Sequence, residues 1–305
     1  MSSSTGWIKS VTLQASEHRL IAGGFLLAAL IVIALWLQSI IGWAFGKGPP
    51  GFSWAFYGGL AGWGATTLGA LPALFLRRMP QRVEDSLLGI AAGMMLAASA
   101  FSLLLPGMET AQALTGSAFW ASLIVILGIA LGVALMLGLD FFTPHEHENL
   151  GPCGAGHEHC RRVWLFVFAI ALHNLPEGMA IGVSLSQADL SVGLPLTAAI
   201  ALQDIPEGLA VTLALRRVGL SPLMAVGIAS ASGLLEPIGA ILGAGLTGGL
   251  SLAYPLGLTL AGGAMIFVVS HEVIPETHRN GHQTIATIGL MVGFAIMMVL
   301  DTALG

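Results

Sequence analysis

Nine apolar stretches, each close to the ~20 residues that cross about 30 Å of hydrocarbon at 1.5 Å per residue, take up most of this chain. They run over residues 20–45, 54–76, 86–105, 119–139, 163–185, 194–215, 222–246, 252–274 and 285–304. Lipid offers the backbone no hydrogen-bond partner, so each stretch is expected as a helix and the chain as an all-α, polytopic membrane protein. With 55% hydrophobic and 9% charged residues, a chain of 305 residues is too apolar for a water-soluble globule. The mean hydropathy of +0.86 points the same way. The first stretch far exceeds the usual 7–15 residues of a secretion signal core and no small-x-small cleavage site follows it, so it is expected to stay as a span.

Basic residues set the orientation, because cytoplasmic loops are enriched in Lys and Arg. With a cytoplasmic N-terminus, Lys9, Arg19, Arg77, Arg78, Arg82, Arg161, Arg162, Arg216, Arg217 and Arg279 fall inside and Lys47 alone falls outside. Nine spans then put the C-terminus outside. Residues 1–19 become a cytoplasmic tail, 20–45 a first span, 54–139 three further spans, 163–246 another three and 252–305 the last two. Glycine is abundant, with 41 residues, and occurs in small-residue runs such as Ala91-Ala92-Gly93 and Gly243-Ala244-Gly245. Such runs let helix backbones approach closely in lipid, as plain packing or as a sliding surface between two helix groups.

The long polar segment, 142–162, falls on the cytoplasmic side. It holds His145, His147, Cys153, His157, His159 and Cys160 beside Glu146, Glu148 and Glu158. Tracts of this kind bind borderline metals, although the spacing matches no standard structural zinc site. Low-affinity metal capture or sensing competes there with a solvated tether. The two cysteines face a reducing compartment and are expected as thiols.

Polar residues recur deep in the spans. His173-Asn174-Leu175-Pro176-Glu177-Gly178 is matched thirty positions on by Gln203-Asp204-Ile205-Pro206-Glu207-Gly208. A charge near the bilayer centre costs at least about 2.5–3.5 kcal/mol, so a partner is required. Neither stretch contains Lys or Arg, which leaves a metal ion. Helical spacing lets His173 and Asn174 share a side with Glu177, and Gln203 and Asp204 with Glu207. Two helices brought together offer His173, Glu177, Gln203 and Glu207 at one level, and Asn174, Asp204 and the same glutamates beside it. That makes two adjacent metal positions bridged by Glu177 and Glu207, with Glu236 of the next span completing the second. Met95, at similar depth, adds a soft thioether or fills core. One imidazole with carboxylates and amides suits zinc, iron or manganese, and cadmium if Met95 joins. Pro176 and Pro206 each remove a helix hydrogen bond beside these groups, as interrupted helices do at transporter sites. A structural polar network or a proton relay would use the same residue types. An intramembrane metalloprotease would need His-Glu-x-x-His, and after His271-Glu272 position 275 is proline.

The paired HNLPEG and QDIPEG motifs resemble those of the ZIP (Zrt/Irt-like) divalent metal transporters, and the chain lies close to the structurally studied bacterial ZIP. The likeness covers residue 54 to the C-terminus. It implies an eight-helix core, with 20–45 as one extra N-terminal transmembrane helix. It also implies import of divalent metal across the bacterial cytoplasmic (inner) membrane, homodimers, and an elevator in which core helices 1, 4, 5 and 6 move against 2, 3, 7 and 8. The first metal site maps onto Met95, His173, Glu177, Gln203 and Glu207, and the second onto Asn174, Glu177, Asp204, Glu207 and Glu236. Many relatives begin the second motif with His and follow it with Lys; here Gln203 weakens nitrogen ligation and Asp204 favours a binuclear centre.

A cation path is expected around that site. Ser102 and Asp301 fall on outer half-spans, and Asp85, Asp140, His271, Glu272 and Glu276 at cytoplasmic ends. The function expected is divalent-metal transport, zinc foremost, with metal as substrate, no catalytic cofactor and no nucleic acid partner. A metal-selective channel is the alternative, and an intramembrane metalloenzyme a more distant one.

Overall fold

The computed structural model describes residues 15–142 except 47 and 77, and residues 158–304 except 249; the side chains of 158–170, 172 and 304 fall outside that description. Its described residues are all-helical, and the chain is a polytopic membrane protein. Among the described residues its long helices are α1 (Arg19–Ala44), α2 (Phe52–Ala70, tightening into a 3₁₀ turn over Leu71–Leu74), α3 (Gln81–Thr115), α4 (Ala118–Phe142), α5 (Glu158–Leu185), α6 (Leu190–Arg217), α7 (Pro222–Leu246), α8 (Ala253–His278) and α9 (Gln283–Leu304). Among the described residues, α1, α3, α4, α6, α7, α8 and α9 are each long and apolar enough by themselves to cross a membrane.

Proline explains where these helices depart from the apolar stretches. The stretch expected at 86–105 continues past Pro106 to Thr115, because a π-helical turn over Ser99–Leu104 takes up the misfit. A proline ring collides with the carbonyl four residues earlier, here that of Ser102, and the wider turn relieves it. Pro275 stands in the same relation to His271, inside the π turn Val269–Val273 of α8. Pro237 has a harsher effect. The span expected at 222–246 is interrupted at Leu234, giving half-helices Pro222–Gly233 and Leu235–Leu246. The helix of the 163–185 stretch begins earlier, at Glu158, once the breakers Gly151, Pro152, Gly154 and Gly156 are passed, so His159 and Cys160 belong to α5.

Glycines decide which helices lie against which. A Cβ at Gly178 or Gly182 of α5 would strike the backbone of Glu236 or Ala240 in α7, and one at Gly239 or Gly243 would strike α5 at Leu175 and Met179. Gly69 of α2 and Gly208 of α6 meet each other's helix in the same way. Gly59 of α2, where a Cβ would strike Pro237 of α7, joins the two pairs, so α2, α5, α6 and α7 are tied together. Gly89 and Gly93 of α3 pack on the backbone of α9, Gly289 and Gly293 pack back on α3, and Gly132 and Gly263 join α4 to α8. Between the two groups the meeting is looser: Gly257 of α8 faces α5 only through Val183 methyls, from 3.3 Å. Met95, Ile181, Leu196, Ile200, Leu258 and Met265 fill the core across that seam.

α1 lies outermost. Only 6% of its most apolar window is buried within the chain, against 78% for α8, so most of α1 lies on the outside of the helix bundle. It touches both groups: Trp36 Nε1 donates to Leu242 O of α7 at 3.3 Å, while Phe25 packs onto Gly138 of α4. At the joint before α6, Asp189 caps the helix by accepting from Ser191 N, and the bond from the Ser191 hydroxyl holds its carboxyl below the usual range.

Candidate metal centre

Each half of the repeated motif is carried by a helix that runs on through its proline, Pro176 in α5 and Pro206 in α6. Continuity keeps the helical spacing, so His173, Asn174 and Glu177 share one side of α5, and Gln203, Asp204 and Glu207 one side of α6. All six are at most 2% exposed, and Glu236 is fully buried. Glu177, Asp204 and Glu207 converge, with one oxygen from each within 4.8 Å of the others. Two carboxylates 4 Å apart repel by about 4 kcal/mol at an effective dielectric of 20. Three of them must be neutralised, by a cation or by bound protons.

The hydrogen bonds around this trio leave lone pairs over. Gln203 Nε2 donates to Glu177 Oε1, which leaves Gln203 Oε1 and Glu177 Oε2 without partners. Both oxygens of Asp204, Glu207 Oε1 and Glu236 Oε2 are likewise buried with no amide or hydroxyl donor among the described residues, and the Asp204 and Glu236 carboxyls face each other, able to bond only by sharing a proton. Buried polar atoms are almost always satisfied, so such a cluster of orphan acceptors is the chemistry of a cation site. Among the described residues Arg217 pairs with Glu84 and Arg279 with Glu276, both at helix ends.

The interruption of α7 gives Glu236 its setting. It stands in the first turn of the half-helix Leu235–Leu246, where the positive end of the helix dipole favours a carboxylate. Thr66 Oγ1 of α2 donates to Glu236 Oε1 at 2.7 Å. Gly62, one turn earlier on α2, lies so close that a Cβ there would run into the Glu236 carboxylate and sit 3.3 Å from Asp204 Oδ2. Neither Thr66 nor Gly62 emerges from a search for charged or metal-ligating residues. The signal open to sequence was the small-residue face of α2, through Gly58, Gly59, Gly62, Thr66 and Gly69, which marks close approach by another helix. Met95 is fully buried in the core of α3 against α5, α6 and α8.

The outlying residues form separate groups. Ser102 Oγ donates to Asp301 Oδ1 at 2.6 Å, joining α3 to α9. Asp140, His271 and Glu272 converge within 4.8 Å, with His271 Nδ1 3.2 Å from Glu272 Oε1 and its ring stacked on Phe267. Glu276 pairs with Arg279 at 2.8 Å. Asp85 is bound elsewhere: Gln81 Nε2 and Asn280 Nδ2 each donate to Oδ1 at 3.0 Å, and His282 Nδ1 lies 2.7 Å from Oδ2. His145, His147 and His157 lie outside the described residues, and His159 lies in α5 with its side chain outside the description.

Asp85 ties the start of α3 to the turn between α8 and α9. It is 1% exposed, and hydrogen bonds to a charged group contribute about 1.5–3 kcal/mol. Asp85→Asn is therefore expected to lower stability by about 2 kcal/mol or more, read as a fall in the thermal midpoint of the detergent-solubilised chain.

A family model described as ZIP Zinc transporter matches residues 143–301, which carry both halves of the repeat and Glu236. The chain is 59% identical to Zinc transporter ZIPB of Bordetella bronchiseptica, over 96% of this chain and 94% of that protein. It is 41% identical to Zinc transporter GufA of Myxococcus xanthus, over 79% and 95% respectively. Identity to Zinc transporter ZupT of Corynebacterium glutamicum is 32%, over 77% and 93%.

Proposed function

The chain belongs to the ZIP zinc transporter family, and we propose that it imports divalent metal, zinc foremost, into the cytoplasm through a binuclear site at the level of Glu177, Asp204 and Glu207. The observation that carries this reading is the convergence of three buried carboxylates whose spare oxygens meet no amide or hydroxyl donor among the described residues. Glu177 and Glu207 bridge the two positions. Met95, His173 and Gln203 serve the first, and Asn174, Asp204 and Glu236 the second. Gln203 supports this division: its amide nitrogen is held by Glu177, which turns its carbonyl oxygen into the free ligand. Iron, manganese and cadmium fit the same donors less specifically.

Transport runs by an elevator in which α2, α5, α6 and α7 move as a body against α3, α4, α8 and α9. The supporting observation is the distribution of close contacts. Backbone-to-backbone packing through glycine occurs within each of these groups, whereas Gly257 meets the other group only through side-chain methyls. Interlocked backbones resist sliding, and side-chain surfaces permit it. These eight helices form the core, and α1 is the additional N-terminal span. Ser102 and Asp301 mark the outer approach. Asp140, His271 and Glu272 take metal on the cytoplasmic side and hand it to the His-rich segment 142–162. The basic-residue count supports a cytoplasmic N-terminus and an outer C-terminus in a bacterial inner membrane. Family likeness carries the homodimer.

The test is uptake of radioactive zinc into proteoliposomes containing the intact chain, beside His173→Ala and Glu207→Ala chains of verified folding. Saturable uptake by the intact chain, lost in both variants, is the expected result. Conductance without saturation would favour a channel, and uptake untouched by both variants would put the path elsewhere.

A further inference from the structure

We propose that Thr66 is a positioning residue for the second metal position, orienting Glu236 so that one carboxylate oxygen is held by the protein and the other is left for the ion. This rests on the binuclear reading and goes beyond it by naming what seats the auxiliary carboxylate. Thr66 and Glu236 are both buried, at 3% and 0% exposure. The Thr66 hydroxyl has a single proton and two acceptors in reach, Glu236 Oε1 at 2.7 Å and Gly62 O at 3.3 Å. A carboxylate at 2.7 Å is the stronger acceptor, so the proton goes to Glu236. That bond occupies Oε1 and leaves Oε2, which no amide or hydroxyl donor reaches among the described residues, facing the Asp204 carboxyl.

Thr66 is itself held on two sides. Its backbone carbonyl lies against Gly208, the residue after Glu207, and its Cβ lies within 3.1 Å of where a Cβ on Gly233 would stand, just before α7 is interrupted. The hydroxyl is therefore fixed relative to both the helix carrying Glu207 and the half-helix carrying Glu236. Gly62 keeps open the space into which Glu236 Oε2 projects toward Asp204. Outer partners of this kind orient a ligand without touching the metal, and removing one typically weakens metal binding about 10- to 100-fold.

Packing and positioning predict opposite orders for two substitutions. Thr66→Val keeps the shape and removes the proton donor; Thr66→Ser keeps the donor and removes the methyl that faces Gly233. Equilibrium zinc titration of the purified full chain, with bound ions counted, is run on both variants beside Glu236→Ala and Glu177→Ala. The expected result is that Glu236→Ala loses one ion relative to the intact chain and Glu177→Ala loses more. Thr66→Val then weakens the ion lost in Glu236→Ala by about 10-fold or more, while Thr66→Ser titrates like the intact chain. Intact titration by Thr66→Val, with the loss in Thr66→Ser, would make Thr66 a packing residue and overturn the proposal. A Glu236→Ala chain that loses no ion would overturn the two-position reading first, leaving Thr66 nothing to position.

Discussion

Glu177→Gln is expected to abolish zinc uptake at substrate concentrations that saturate the intact chain. The substitution keeps the side-chain shape and an oxygen that can accept from Gln203 Nε2, so what it removes is charge. Glu177 lies within 4.8 Å of both Asp204 and Glu207 and faces both proposed metal positions, so the loss falls on two ions at once. One unit charge acting on another at 4 Å amounts to about 4 kcal/mol at an effective dielectric of 20, close to a thousandfold in affinity. A second readout separates lost binding from lost motion. Zinc at a hundred times its dissociation constant should stabilise the folded intact chain by about 2.7 kcal/mol, and the thermal midpoint of Glu177→Gln should not respond to zinc. Uptake retained within about tenfold of the intact chain would remove Glu177 from the bridging role.

Gly178→Leu should fail at an earlier stage, in folding. Even a Cβ at this position would run into the backbone carbonyl of Glu236, and backbone cannot yield as the tip of a flexible side chain can. Gly182, Gly239 and Gly243 repeat that contact along the α5–α7 interface, so separating the helices at one point strips packing from all of it. Overpacking a well-packed core by a few methylenes costs about 1–3 kcal/mol, and a backbone collision belongs at or above the top of that range. The expected result is a large fall in folded protein recovered from membranes and, in what is recovered, a lower thermal midpoint. Gly64→Ala on α2 is the matched control. Nothing lies within 4 Å of its Cβ, and replacing an open helical glycine by alanine contributes up to about 1 kcal/mol of stability. Equal loss in both would show that glycine serves α5 and α2 by something other than close approach.

Much of this was legible along the chain because lipid is a demanding solvent. It forces backbone groups to pair within each span, which turns apolar length into helices, and it makes a buried carboxylate without a basic partner conspicuous. The side chains of His173 to Glu177 and of Gln203 to Glu207 could be grouped by helical spacing alone, since α5 and α6 continue through Pro176 and Pro206. The interruption of α7 at Leu234 was harder to see, although Pro237 causes it, because identical chemistry at Pro176 and Pro206 leaves the helix whole. Whether a freed carbonyl is tolerated depends on what neighbouring helices offer it, which is a matter of packing. The polar residues at the basic end read as one acidic group, yet Asp140, His271 and Glu272 converge while Asp85 is taken by Gln81, Asn280 and His282. Charge counting locates such residues at a level in the membrane and says nothing of which ones meet.

What the amino-acid order determined by itself was therefore local and periodic: apolar lengths, the side of a helix on which a ligand falls, the depth of the carboxylates, and the repeat that identifies the family. What only the tertiary structure decided was the pairing of helices and the partner of each buried oxygen. Gly62 and Thr66 carry no charge and belong to no motif, and they acquire a role because α7 brings Glu236 against them. The reason is physical. Helical spacing repeats every few residues and can be read along one strand of sequence, whereas a hydrogen bond between residues 170 apart exists only once the glycines have let two backbones come close enough to make it.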